Sequence, residues 1–181
     1  MYKFIFIIVI FYSFQTFSMK IFDYKNPKNN VSGNSWELIT DEVMGGKSKG
    51  DFIIIEKDGS LFYRLEGDVS TENNGGFIQF RSKIKIDDEF NGIRINVKGK
   101  SGGYFIHIRT PFTILPWQYY SHNFQVSENW QTIELFFTDF KKSHLFQPSS
   151  FTSSSIRTIG FVAMGLDFEA KLDVSSLELI K

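Results

Sequence analysis

The chain has 181 residues, with 20 Lys+Arg against 20 Asp+Glu, 3 His and no Cys. That length suits one domain, and 42% hydrophobic residues suffice for a core, so global disorder is excluded. Balanced charge argues against a nucleic-acid partner, and the absence of Cys excludes disulfides, thiolate nucleophiles and thiolate zinc sites.

Residues 1–18 read as a secretory signal peptide. Lys3 precedes an apolar run at 4–12, and Ser13, Gln15, Thr16 and Ser18 then bring polarity. The run is shorter than the roughly 20 residues a spanning helix needs. Cleavage after Ser18 leaves one domain, 19–181, with no transmembrane span, in a periplasmic or secreted protein. If Met19 is instead the true start, the product is cytoplasmic.

Beyond Lys20 the dominant period is two, the signature of half-buried strands. Strands are predicted at 52–56 and 61–66, joined through Lys57-Asp58-Gly59-Ser60. Asp-Gly favours a tight hairpin because both residues tolerate positive φ. Ile78, Phe80, Ile84 and Ile86 alternate with polar residues, as do Ile93, Ile95 and Val97. Further strands are predicted at 104–110, 119–126, 133–137, 156–163 and 171–180. Loops are expected at 26–35 and 149–155. Thr138-Asp139-Phe140-Lys141 suits a single capped turn. No window carries a helical stripe. The fold class is therefore all-β: a jelly-roll β-sandwich of about ten antiparallel strands with almost no helix. The 21 Phe suit it, because large flat side chains fill the gap of about 10 Å between two sheets.

Three stretches carry more than fold. One is Trp36-Glu37-Leu38-Ile39-Thr40-Asp41-Glu42-Val43-Met44-Gly45-Gly46-Lys47-Ser48-Lys49-Gly50. Another is Glu66-Gly67-Asp68-Val69-Ser70-Thr71-Glu72-Asn73-Asn74-Gly75-Gly76-Phe77. The last combines Trp130-Gln131-Thr132-Ile133-Glu134-Leu135-Phe136-Phe137 with Ile156-Arg157-Thr158-Ile159-Gly160-Phe161. In this order and spacing the chain resembles the complex I intermediate-associated protein 30 family, from about residue 21 to residue 180. The resemblance implies a galactose-binding-like jelly roll and a role in assembling a membrane complex through protein contacts. Two departures stand out. Gly99-Lys100-Ser101-Gly102-Gly103-Tyr104 lacks the Asp the family tends to carry there, and the segment after Phe140 is short. An exported protein would also not reach complex I assembly on the matrix or cytoplasmic side.

The residues themselves leave two readings of each motif. Asp41, Met44, Gly45, Gly46 and Ser48, with Asn74, Gly75 and Gly76, either lock two loops or form a rim site. In a rim site their N–H groups would face an anion or a polyol. Trp117, Tyr119 and Tyr120 either make an aromatic platform for a sugar or protein, or close the end of the sandwich. Trp36 and Trp130 are expected to anchor the core. Arg64, Arg81, Arg94, His107 and Arg109 fall on polar-facing positions, as a cationic face or as solvated ion pairs. His107, His122 and His144 lack metal-ligand spacing, and 87–89 reads as a solvated acidic turn. No catalytic residue, metal site or cofactor is expected. The first reading is a non-catalytic binding or assembly module with a protein partner. The alternative is a carbohydrate-binding module, with an enzyme ranked last.

Overall fold

The computed structural model describes residues 17–181. Apart from Phe17 and Ser18, the expected leader lies outside the described residues.

Two six-stranded antiparallel sheets pack face to face. The first runs in the order β3 (Lys49–Lys57), β4 (Ser60–Val69), β12 (Phe168–Ile180), β6 (Gly92–Gly99) and β9 (Gln131–Phe136). β1 (Ser18–Lys20) pairs with the end of β12. The second runs β10 (Lys141–Lys142), β8 (Tyr120–Phe124), β7 (Tyr104–Arg109), β11 (Thr158–Met164), β5 (Phe77–Lys83) and β2 (Glu37–Thr40). The all-β sandwich expected from the alternating pattern is what forms.

Period two explains the core. Tyr63 and Leu65, Ile93, Ile95 and Val97, and Leu172 and Val174 point in from the first sheet. Ile78 and Phe80, Ile106 and Ile108, and Ile159 and Phe161 meet them from the second. Aromatic rings bridge the gap. Phe80 stacks on Phe161 at 5.0 Å and on Phe52 at 4.7 Å, while Phe22 lies 4.2 Å from Tyr63. The hairpin turn forms as predicted, with Asp58 at φ 53° and Gly59 at φ 71°.

Four expectations need correction. The short edge strands β1, β2 and β10 are too brief to show a period and were not anticipated. The strand expected through Ile86 stops at Lys83, although Ile84 and Ile86 remain buried. The turn near Thr138 covers Phe137–Asp139 and has no side-chain cap, because Phe136 occupies the capping position. Trp130 does not anchor the core: it is 41% exposed on the outer face of the first sheet, edge-on to Phe62 and under Lys98. Trp36 is buried as expected.

Candidate functional site

The two Gly-Gly loops meet, and Asp41 joins them. Its carboxylate is fully buried. It accepts the Ser48 N–H at 2.9 Å and the Ser48 hydroxyl at 2.6 Å. From the second loop it accepts the N–H groups of Gly76 and of Phe77, the latter at 3.2 Å. Ser48 Oγ in turn accepts the Ser70 N–H. Both loops press directly on the carboxylate. A Cβ on Gly46 would sit 2.3 Å from Asp41 Cγ, and one on Gly75 would sit 2.4 Å from Oδ2. Burial pulls the Asp41 pKa up, but the hydrogen bonds from Gly76, Ser48 and Phe77 outweigh it and hold the carboxyl below its ordinary value. Asp41 and Ser48 therefore lock the loops, and the backbone beyond them is what faces solvent.

That backbone forms one wall of a groove of about 790 Å³ on the outer face of the second sheet. Ile39, Val43, Met44, Gly75 and Gly76 make this wall. Pro116, Trp117 and Tyr119 make the opposite one. The floor carries Gln79, Arg81, His107, Thr158 and Gly160, with Arg109 at its side. Strand register sets the floor: Gly160 of β11 pairs with Arg81 on one side and His107 on the other. A Cβ on Gly160 would meet Arg81 Cβ at 2.9 Å. The missing side chain keeps the floor low between two large neighbours.

The Trp117 wall is preorganised. Arg109 donates to the carbonyls of Thr113 and Leu115, each at 3.0 Å. Gln118 Oε1 accepts the Leu115 N–H, and Ser143 Oγ donates to the Trp117 carbonyl. These bonds hold a loop that presents an indole 56% exposed. Below it Tyr119 stacks on His107 at 3.9 Å. Burial pushes the His107 pKa down to about 3, so the ring is neutral at physiological pH. Its Nε2 is buried and has no hydrogen-bond partner among the described residues.

The groove thus brings together Met44, Gly75, Gly76, Arg81, Arg109, Trp117 and Tyr119 from the expected set. Gly45 and Gly46 do not line the groove, and the Asn74 side chain lies outside the described residues. Tyr120 does not join: it is fully buried on the opposite face of β8 and donates to the Pro148 carbonyl. The expected cationic face divides between the sheets. Arg64 pairs with Asp173 at 2.6 Å, and Arg94 with Glu134 at 2.7 Å, on the first sheet. Arg81, His107 and Arg109 share the groove. Ile39, Gln79, Thr158 and Gly160 were not singled out as site residues. The glycine inside the apolar run 156–163 was the available signal, since a strand-interior glycine marks close approach.

The fold places the chain among two-sheet β-sandwich proteins, and comparison with known proteins makes this specific. Residues 22–174 match the family model of complex I intermediate-associated protein 30 (CIA30). The chain belongs to that family. No curated protein sequence matches it. Among solved structures it is similar to a family 11 carbohydrate-binding module from Clostridium thermocellum in complex with a β-1,3-1,4-mixed-linked tetrasaccharide. The identity is 15% and the TM-score 0.69, over 90% of this chain and 95% of that one. A family 11 carbohydrate-binding module of the cellulosomal cellulase Lic26A-Cel5E of Clostridium thermocellum aligns at 16% identity and TM-score 0.64, covering 80% and 86%. A family 29 carbohydrate-binding module aligns at 9% and 0.53, covering 92% and 89%. At such identities these likenesses establish the fold alone. Among the described residues no helix is long and apolar enough to cross a membrane, and no three His, Asp or Glu side chains cluster as metal ligands.

Proposed function

We propose that this chain is a non-catalytic binding module that holds a carbohydrate chain in the groove of the second sheet. The observation that carries it is Trp117, an exposed indole fixed by a hydrogen-bonded loop above a low floor. A flat apolar ring beside hydrogen-bonding groups suits a pyranose, whose faces carry C–H groups and whose rim carries hydroxyls. The tetrasaccharide in the family 11 neighbour supports the reading. So does the groove lining, in which no carboxylate pair is placed for glycoside hydrolysis. Export, expected from residues 1–18, would put the groove where extracellular glycans are met.

Titration calorimetry against a panel of plant and algal oligosaccharides tests this. Trp117→Ala should weaken the best ligand by about tenfold or more, as loss of a central aromatic anchor does. The melting temperature should not change, because the indole is largely outside the core. Unchanged affinity in that variant would overturn the proposal.

A second reading has its own observation. Phe112, Ile114, Leu145 and Phe146 are 60, 81, 84 and 90% exposed on two loops. The loops adjoin, since the Ser143 N–H donates to the Tyr119 carbonyl and its hydroxyl to that of Trp117. Such an apolar rim suits a protein partner, as family membership suggests. A pull-down from membranes should then recover a stoichiometric partner with the native chain and lose it with Ile114→Ser/Phe146→Ser. Recovery of no partner counts against this reading.

A further inference from the structure

We infer that the groove selects sugars carrying an oxyanion, the carboxylate of a uronic acid or a sulfate ester. Arg81 and Arg109 would hold the anion while His107 Nε2 meets a neighbouring hydroxyl. This rests on reading the groove as a glycan site.

The two outer faces of the sandwich differ in how their arginines are partnered. On the first sheet the arginines are paired: Arg64 forks onto Asp173 through two bonds of 2.6 and 2.8 Å, and Arg94 reaches Glu134 and Glu178. On the second sheet they are not. Among the described residues no carboxylate lies within ion-pair distance of Arg81 or Arg109. Glu37 stands opposite Arg81 in the β2–β5 register but forms no ion pair with it and is exposed. Among the described residues the Arg81 side chain has no hydrogen-bond partner, although it is partly buried in the floor. Arg109, which also lines the groove, spends one terminal nitrogen on the loop carbonyls, and its other guanidinium N–H groups have no partner among the described residues.

The two cations also feel one another. Burial and then the nearby Arg81 charge lower the Arg109 pKa from its ordinary value. Two guanidiniums that line one groove, each without a carboxylate partner among the described residues, suit an oxyanion, which their fork geometry grips in pairs of bonds. His107 completes it. It lies in the same strand row as Arg81 across Gly160, and its buried Nε2 is unsatisfied. Being neutral, it adds no third charge to repel the other two, yet it offers one hydrogen bond to a ligand resting over the glycine. Buried polar atoms are nearly always partnered, so an orphan on a residue that lines the groove points to a group that arrives with the ligand.

Calorimetry at low and moderate salt with three probes tests this: a neutral mixed-linked β-glucan tetrasaccharide, a tetragalacturonate and a sulfated agaro-tetrasaccharide. One of the two anionic probes should bind at least tenfold tighter than the neutral one, and more weakly at higher salt. Which one does so identifies the source of the anion. Arg81→Gln should cost that probe about tenfold or more, and Arg81→Lys, which keeps the charge without the fork, should cost less. Neither should shift the melting temperature, since Arg81 has no partner among the described residues to lose. Equal or tighter binding of the neutral probe, or an indifferent Arg81→Gln, overturns the inference and leaves the glycan reading standing. If no probe binds and Trp117→Ala changes nothing in a wider panel, both fall.

Discussion

Asp41→Ala is expected to lower the unfolding free energy by about 3–5 kcal/mol, enough to leave much of the chain unfolded at 37 °C. The reason is the number of donors it orphans. Three backbone N–H groups and the Ser48 hydroxyl converge on one buried carboxylate, and an unsatisfied buried donor costs about 1–3 kcal/mol. Local rearrangement is hindered, because Gly46 and Gly75 already approach the side chain more closely than any Cβ would allow. Asp41→Asn retains one acceptor oxygen and should lose roughly half as much.

Acid provides a second, signed test of the same residue. The folded-state pKa of Asp41 lies below its unfolded value of 3.8. Its stabilisation is therefore complete above about pH 4 and fades as pH falls through the lower, folded value. Urea unfolding should show the native chain losing stability in that window and Asp41→Asn losing much less there. If the two slopes coincide, the carboxylate is not the charged hub described. Since Gly75, Gly76 and Met44 ride on these loops, Asp41→Asn should also weaken groove binding at neutral pH.

Legibility followed the range over which each feature is determined. The Asp58-Gly59 hairpin was readable because its chemistry is confined to four residues. The buried alternation of Ile93, Ile95 and Val97 was readable for the same reason. Asp41 was visible as a loop residue, but its bonds to Gly76 and Phe77, 35 and 36 positions away, depend on how the loops are brought together. Trp117, Tyr119 and Tyr120 formed one aromatic group in the sequence. The strand period divides them, sending Tyr120 into the core while Tyr119 stays on the groove. Trp130 shares the phase of Thr132 and Glu134, which face solvent on β9, so the alternation itself argued against a core position. Family membership was carried by the glycine pairs, whereas the groove floor was carried by register. Nothing local announces that Arg81, Gly160 and His107 lie side by side.

His107→Phe is expected to separate stability from function in opposite directions. Phenylalanine keeps the flat ring that stacks on Tyr119 at 3.9 Å and removes the buried, unpartnered Nε2. Deleting an unsatisfied polar atom while preserving shape should stabilise the fold by about 1 kcal/mol. The same deletion removes the hydrogen bond awaiting a ligand, so binding in the groove should fall by about tenfold. The pH profile follows with an inverted histidine sign. Burial sets the folded pKa at about 3, below the ordinary 6.5, so the unfolded chain binds the proton first. The native chain should therefore lose stability progressively as pH falls from about 6.5 toward 3, and His107→Phe should be flat over most of that range. This window lies above that of Asp41, so denaturant titrations at pH 7, 5 and 3 resolve the two. A variant that is less stable at pH 7 would mean that Nε2 is satisfied within the fold, and the groove would lose its strongest sign of a missing ligand. A variant that is more stable and no longer binds would identify His107 as a residue kept at a cost to the fold because the ligand needs it.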